Sequence, residues 1–177
     1  MNEIEVPSAS PDGLILQRVR EWMVQFVEAP NPLLNGFAPC PFAKRARLQN
    51  ELFVRVARHE SFAADLAEAC AAVMDGSKRV ALLAFADTEK WPVEKCAAAV
   101  DRLRETWRAQ DLYFMWDHPQ VEETVGRLRM NQGEYFLLFV QRLSELRMAT
   151  LELEAKGYYQ SWDADQLKDL IGTRWKE

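Results

Sequence analysis

The chain of 177 residues is 49% hydrophobic and 28% charged, with a formal net charge of −5 and a pI near 5.2. At this length one domain can bury roughly 70% of the unfolded chain's surface, so neither disulfides nor a structural metal are needed to hold it. A negative overall field repels phosphate backbones, and no run of about 18 consecutive apolar residues occurs, so neither a nucleic-acid nor a membrane partner is expected.

The opening "MNEIEVPSASPDG" is acidic and polar, has no apolar h-region, and reads as a loose tail over residues 1–13 ahead of a single α/β domain over 14–177. Leu14, Ile15, Val19, Trp22, Met23, Phe26 and Val27 recur at three- and four-residue steps and predict a helix. "APNPLLNGFAPCP" breaks it with four prolines and a glycine. A short basic helix and the strand "LFVRVA" follow, the strand with Leu52, Val54 and Val56 on one face.

Ser61 stands where it can cap a helix carrying Phe62, Leu66, Cys70 and Val73, which Asp75-Gly76 stops. "RVALLAFA" is apolar without alternation, the pattern of a central strand covered on both faces. Pro92 suits the first turn of a helix whose stripe is Val93, Cys96, Val100, Leu103 and Trp107. "LYFMW" and "YFLLFV" predict two further strands, separated by a polar segment expected to hold a helical turn or two. Two helices finish the chain, the second announced by Asp163 and Gln166 at capping-box spacing.

This order predicts an α/β chain, an α+β sandwich with a small four-stranded mixed sheet covered by helices. Consecutive β-α-β units imply neighbouring parallel strands, with the fourth strand antiparallel to one of them. The ferredoxin-like arrangement is the nearest common relative, although its order is not matched, and a small open sheet with helices on both sides is the alternative.

Three cysteines without a CxxC pair argue against a disulfide framework, fit a reducing compartment and point to the cytoplasm. Cys70 and Cys96 fall on apolar helix stripes and read as core. Cys40 lies between Pro39 and Pro41 on no periodic face, and it is expected at the N-cap of the basic helix with proline at its first position. There the helix dipole, with Lys44, Arg45 and Arg47, would favour a thiolate or receive an anion, whereas a plug beneath a stiffened loop is the bland alternative.

His118 follows "LYFMWD" at the carboxyl end of a strand, the edge where open α/β sheets hold ligands, and could act as acid-base group or as a haem or iron ligand. A His-Pro strand terminator with its ring on backbone is the competing reading. Asp87, at the end of the preceding strand, could orient His118 if the two strands are adjacent, or could simply cap a helix. Among six tryptophans, Trp91, Trp116 and Trp162 fall near element ends and are candidates for the wall of a substrate pocket, and Tyr158, Tyr159 and Trp162 could lid an aromatic cleft or merely pack the terminal helices. No phosphate loop, dinucleotide fingerprint, H-E-x-x-H or G-x-S-x-G occurs.

The tetrad Cys40-Pro41-Phe42-Ala43 followed by Lys44, with β-α-β-α-β and a His-Pro after the third strand, resembles a bacterial domain-of-unknown-function family, number 1415, over residues 14 to about 150. The departures are Gln120-Val121-Glu122, where the family has Asp-Tyr, and Ala86-Asp87, where it tends to carry a second His-Pro. A distant sister family is the other relation considered. The resemblance implies that Cys40 and His118 are functional and implies no reaction.

Three expectations follow. The first is a small-molecule enzyme of a biosynthetic side pathway, with Cys40 as thiolate or redox sulfur and His118 as acid-base group. The second is a haem or iron oxidoreductase with His118 as ligand. The third is an interaction module that forms a homodimer through "YFLLFV" or "GYYQSW".

Overall fold

The computed structural model describes residues 10–131 and 133–175, and the remainder of the expected tail, residues 1–9, lies outside them. The first helix, α1 (Pro11–Trp22), starts earlier than its apolar stripe because Ser10 accepts from the Gly13 amide at 3.0 Å and Pro11 takes the first position. It runs on into a widened π turn over Met23–Val27. The short α2 (Ala43–Leu48) precedes β1 (Leu52–Ala57), and α3 (Phe62–Met74) leads into β2 (Val80–Phe85). Then come α4 (Val93–Trp107), β3 (Leu112–Asp117), β4 (Thr124–Val125), β5 (Leu128–Arg129), β6 (Phe136–Arg142), α5 (Leu143–Ala155) and α6 (Ala164–Trp175).

The main sheet has the order β1-β2-β6-β3, with β1 parallel to β2 and β6 antiparallel to both β2 and β3. This is the mixed four-stranded sheet expected, with one correction. The parallel strands β2 and β3 are not neighbours, because β6 is inserted between them. It wins that place by composition: Phe136, Leu137, Leu138 and Val140 are all at most 2% exposed, and such a run needs cover on both faces and partners on both edges.

On one face α3 and α4 pack through Leu66, Ala69, Cys70, Val73, Cys96 and Val100 onto Leu83, Phe85, Phe114 and Leu138. On the other face α1 packs through Val19, and the π turn through Met23, onto Leu82, Ala84 and Leu137. α6 reaches the same face, where the Thr173 and Tyr113 hydroxyls lie 2.5 Å apart. Helices therefore cover both sides, and among the described residues none is long and apolar enough to cross a membrane.

The segment expected to hold helical turns instead forms the β4–β5 hairpin. Gly126, at φ 57, occupies the position that a two-residue loop reserves for positive φ, and Val125 and Leu128 pair across it to cover the fully buried Leu34. The capping box is realised as read: the Gln166 amide donates to Asp163 Oδ1 at 2.8 Å, and Gln166 Oε1 accepts from the Asp163 amide at 3.2 Å. Ser61 holds the cap position of α3, but its hydroxyl turns to Asp65 Oδ2 at 2.6 Å.

Phe85 is fully buried, with ring centroids 4.6 Å from Phe136 and 4.8 Å from Trp91. Phe85→Ala is expected to cost about 3–5 kcal/mol. Urea denaturation measures it, and an unchanged midpoint would contradict this description of the core.

Candidate functional site

Cys40 is not a helix N-cap. α2 begins at Ala43 with Phe42 as its cap residue, so Cys40 and Pro41 form the turn before it. That turn is fixed at several points. The Cys40 amide donates to the Val27 carbonyl of the π turn at 3.0 Å, and the Cys40 carbonyl accepts from the Ala43 amide at 3.1 Å. The Tyr158 hydroxyl, 119 residues along the chain, donates to the Pro39 carbonyl at 2.6 Å.

Next to the turn, Glu28, 8% exposed, takes a two-pronged ion pair from Arg47, both bonds at 2.8 Å. Arg47 is thus occupied. Arg45 lies over the Phe42 ring at 5.9 Å, and Lys44 and Arg45 face solvent. The three basic residues do not converge on one anion.

All three cysteines are free thiols, and of them Cys40 alone is exposed. Burial pushes the thiols of Cys70 and Cys96 up to about 11, as core positions require. Dense protein surrounding Cys40 also pushes its thiol up, against the backbone N–H groups of Phe42 and Ala43 and the charge of Arg174, which pull it down, while nearby Glu28 adds to the rise. Solvent reaching the residue limits that push, yet the net direction is upward, opposite to the activation expected from a helix start.

Around this turn stands an aromatic wall. Tyr158 packs edge-on against Phe37 at 5.4 Å and Tyr159 at 4.9 Å, and Trp162 lies 5.6 Å from Tyr158. The expected aromatic cluster therefore lies next to Cys40. Burial raises the Tyr158 phenol, and the charge of Arg174 opposes the rise.

Arg174 is a residue the sequence reading missed. An arginine in the last turn of an amphipathic helix ordinarily reads as solvated, and nothing in "GTRWKE" sets it apart. In the fold it is 7% exposed, its Nη1 donates to Thr150 Oγ1 at 2.7 Å, its Nη2 faces Met115 Sδ at 3.9 Å, and its Nε is buried without a partner. It makes no ion pair with a carboxylate among the described residues.

His118 lies elsewhere, at the α3/α4 face. It is 1% exposed, its Nε2 donates to the Trp91 carbonyl at 3.0 Å, and its Nδ1 accepts from the Gln120 amide at 3.2 Å. Both ring nitrogens are spent on backbone, so neither a proton shuttle nor an iron bond at His118 fits without breaking one of them. No cluster of three or more His, Cys, Asp or Glu suited to a metal exists among the described residues.

Asp87 does not meet His118. Its carboxylate accepts from the His59 amide at 3.0 and 3.2 Å and faces Lys90 Nζ at 3.3 Å, tying the ends of β1 and β2 together. Burial alone would raise its carboxyl, and these partners outweigh that and hold it below its ordinary value. Trp91 and Trp116 belong to the core on the same face, each packing on Phe136.

Cys40 and His118 stand on opposite faces of the sheet and share no contact among the described residues. No family model, no curated protein and no solved structure matches the chain. The site is therefore weighed on its geometry alone. A surface cleft of about 370 Å³ lined by His59, Lys90, Trp91, Lys95 and Arg102 lies away from Cys40. It holds no cysteine, serine or threonine, and its Lys90 is already tied to Glu60 and Asp87.

With the Cys40 thiol held above its ordinary value near 9, its alkylation rate at neutral pH is expected to be slow and to keep climbing through pH 9. A pH–rate profile with iodoacetamide reads this directly, and a plateau below pH 8 would contradict it.

Proposed function

We propose that the chain is an enzyme acting on a small molecule at the Cys40 turn, with Cys40 as the nucleophile. The observation that carries this is the pairing of a cysteine at an exposed position with a buried arginine that has no carboxylate partner among the described residues, beside a wall of Tyr158, Tyr159 and Trp162. Cys70 and Cys96 are sealed in the core, whereas Cys40 lies in a turn at the surface, where a ligand can approach it.

In the reaction step the thiol proton passes to solvent and Sγ attacks an electrophilic carbon. For an activated acyl carbon, the S–C bond forms as the bond to the leaving group breaks, and that group departs with the electron pair and takes a proton from solvent. Water then cleaves the acyl–sulfur bond, releasing the acid and restoring the thiol. The amides of Phe42 and Ala43 and the charge of Arg174 favour the transient thiolate. His118 serves as a latch that ties the end of β3 to Trp91 rather than as acid-base group. Membership of the family numbered 1415 or a sister of it, a biosynthetic side pathway and a cytoplasmic location belong to the same proposal, supported by the tetrad, the His-Pro and the free thiols. For the homodimer expectation, β6 is paired on both sides and "GYYQSW" packs against the Cys40 loop, so neither supports it.

A panel of thioesters and activated esters, with and without a carboxylate or phosphate in the acyl part, tests the proposal. At least one is expected to turn over, with a loss of about 10²-fold or more in Cys40→Ser while the variant stays folded. His118→Ala is expected to lose roughly 2–4 kcal/mol of stability with its rate per folded molecule unchanged. Full turnover by folded Cys40→Ser would overturn the reading.

A further inference from the structure

The described part of the C-terminal helical pair, α5 and α6 with the turn between them, leaves three buried polar atoms without partners: Ser161 Oγ, Trp162 Nε1 and Arg174 Nε. Two are neutral groups in half-buried residues. The third belongs to a full positive charge in a residue 7% exposed, and that difference is decisive. A buried guanidinium answered only by a hydroxyl and a thioether is poorly compensated, because each partner supplies a dipole or less.

Among the described residues the surroundings do not provide the missing charge. Glu28, which is close enough to act on Cys40, has both carboxylate oxygens committed to Arg47. Nearby Arg147 adds positive charge, with its Nε donating to the Arg174 carbonyl at 2.8 Å. The last-turn position on α6 offers the negative end of a helix dipole, which offsets only part of a unit charge. Arg174 lies near enough to the Cys40 sulfur and the Tyr158 hydroxyl for its charge to oppose the rise that burial gives each, and Tyr158 is fixed to the Cys40 turn by its bond to the Pro39 carbonyl.

We propose that Arg174 is the binding point for the anionic group, a carboxylate or a phosphate, of the small molecule taken at the Cys40 turn. This rests on Cys40 being the reacting group of that molecule, and it names the substrate class: an electrophile whose reactive carbon lies a few bonds from an anion. Tyr158, Tyr159 and Trp162 then supply the apolar wall along which the rest of the molecule lies.

The test compares two alkylating agents of nearly equal size, iodoacetate, which carries the anion, and iodoacetamide, which does not. Cys40 is the one cysteine outside the buried core, so native labelling, with the modified peptide identified by mass, reports on it. The iodoacetate-to-iodoacetamide rate ratio, divided by the same ratio for glutathione, is expected to be raised by about tenfold or more. Inorganic phosphate or acetate should return the ratio toward that of glutathione, and the one effective at lower concentration identifies the preferred anion.

Arg174→Gln should slow both agents, because the charge that favours the thiolate is lost, and should in addition bring their ratio down to that of glutathione, whereas Arg174→Lys should keep part of the raised ratio. If Arg174→Gln does not fold, the unmodified protein decides through its ratio and the anion competition. A ratio equal to that of glutathione, insensitive to both anions, overturns the proposal. An enhanced ratio without any Cys40-dependent turnover leaves the anion site standing and removes the enzyme, whereas turnover with an ordinary ratio does the converse.

Discussion

The strand β6 is the constraint on which the rest of the architecture depends. An apolar antiparallel strand between β2 and β3 takes hydrogen bonds on both sides, and it makes the sheet continuous from β1 to β3. It also reverses the chain. Phe136 starts β6 beside Phe85, and Arg142 ends it beside Leu112, at the opposite edge of the sheet. The 13 residues of α5, about 20 Å of helix, then carry the chain back and deliver Tyr158 to Pro39. Without that reversal the Cys40 turn would lack its aromatic wall and its arginine.

Two kinds of polar burial are visible, and they serve different ends. The His118 ring, the Asp87 carboxylate and the Glu28–Arg47 pair are each fully answered by backbone or by a counter-charge, so they fix the ends of strands and loops. Arg174 is answered in part only. A group left in that state is the one the proposed anion site is built on, and on that proposal its position near Cys40 puts the chemistry on the face that α1 and α6 share.

Local signals carried much of the fold. The stripe Val93, Cys96, Val100 placed α4, the unbroken apolar run placed β2 at the sheet interior, and Asp163 with Gln166 placed the start of α6. Strand order was not legible, because β-pairing is decided between segments distant in the chain and no local pattern states which edge a strand joins. For the site, the interest of Cys40 and of the Tyr158–Trp162 turn was legible from their irregular settings. Their meeting was not, nor was Arg174, whose burial follows from where α6 docks. His118 shows the reverse: its strand-end position was read correctly, but only the geometry reveals that both nitrogens are already bonded.

The account stands on the claim that the Arg174 guanidinium meets an anion from outside the chain, and the most direct observation is a crystal grown from bromide and measured at the bromine absorption edge. An anomalous peak within about 3.5 Å of Arg174 Nε is the result the account predicts. A protein carboxylate or carbonyl seated on Nε, with no halide beside it, would contradict it.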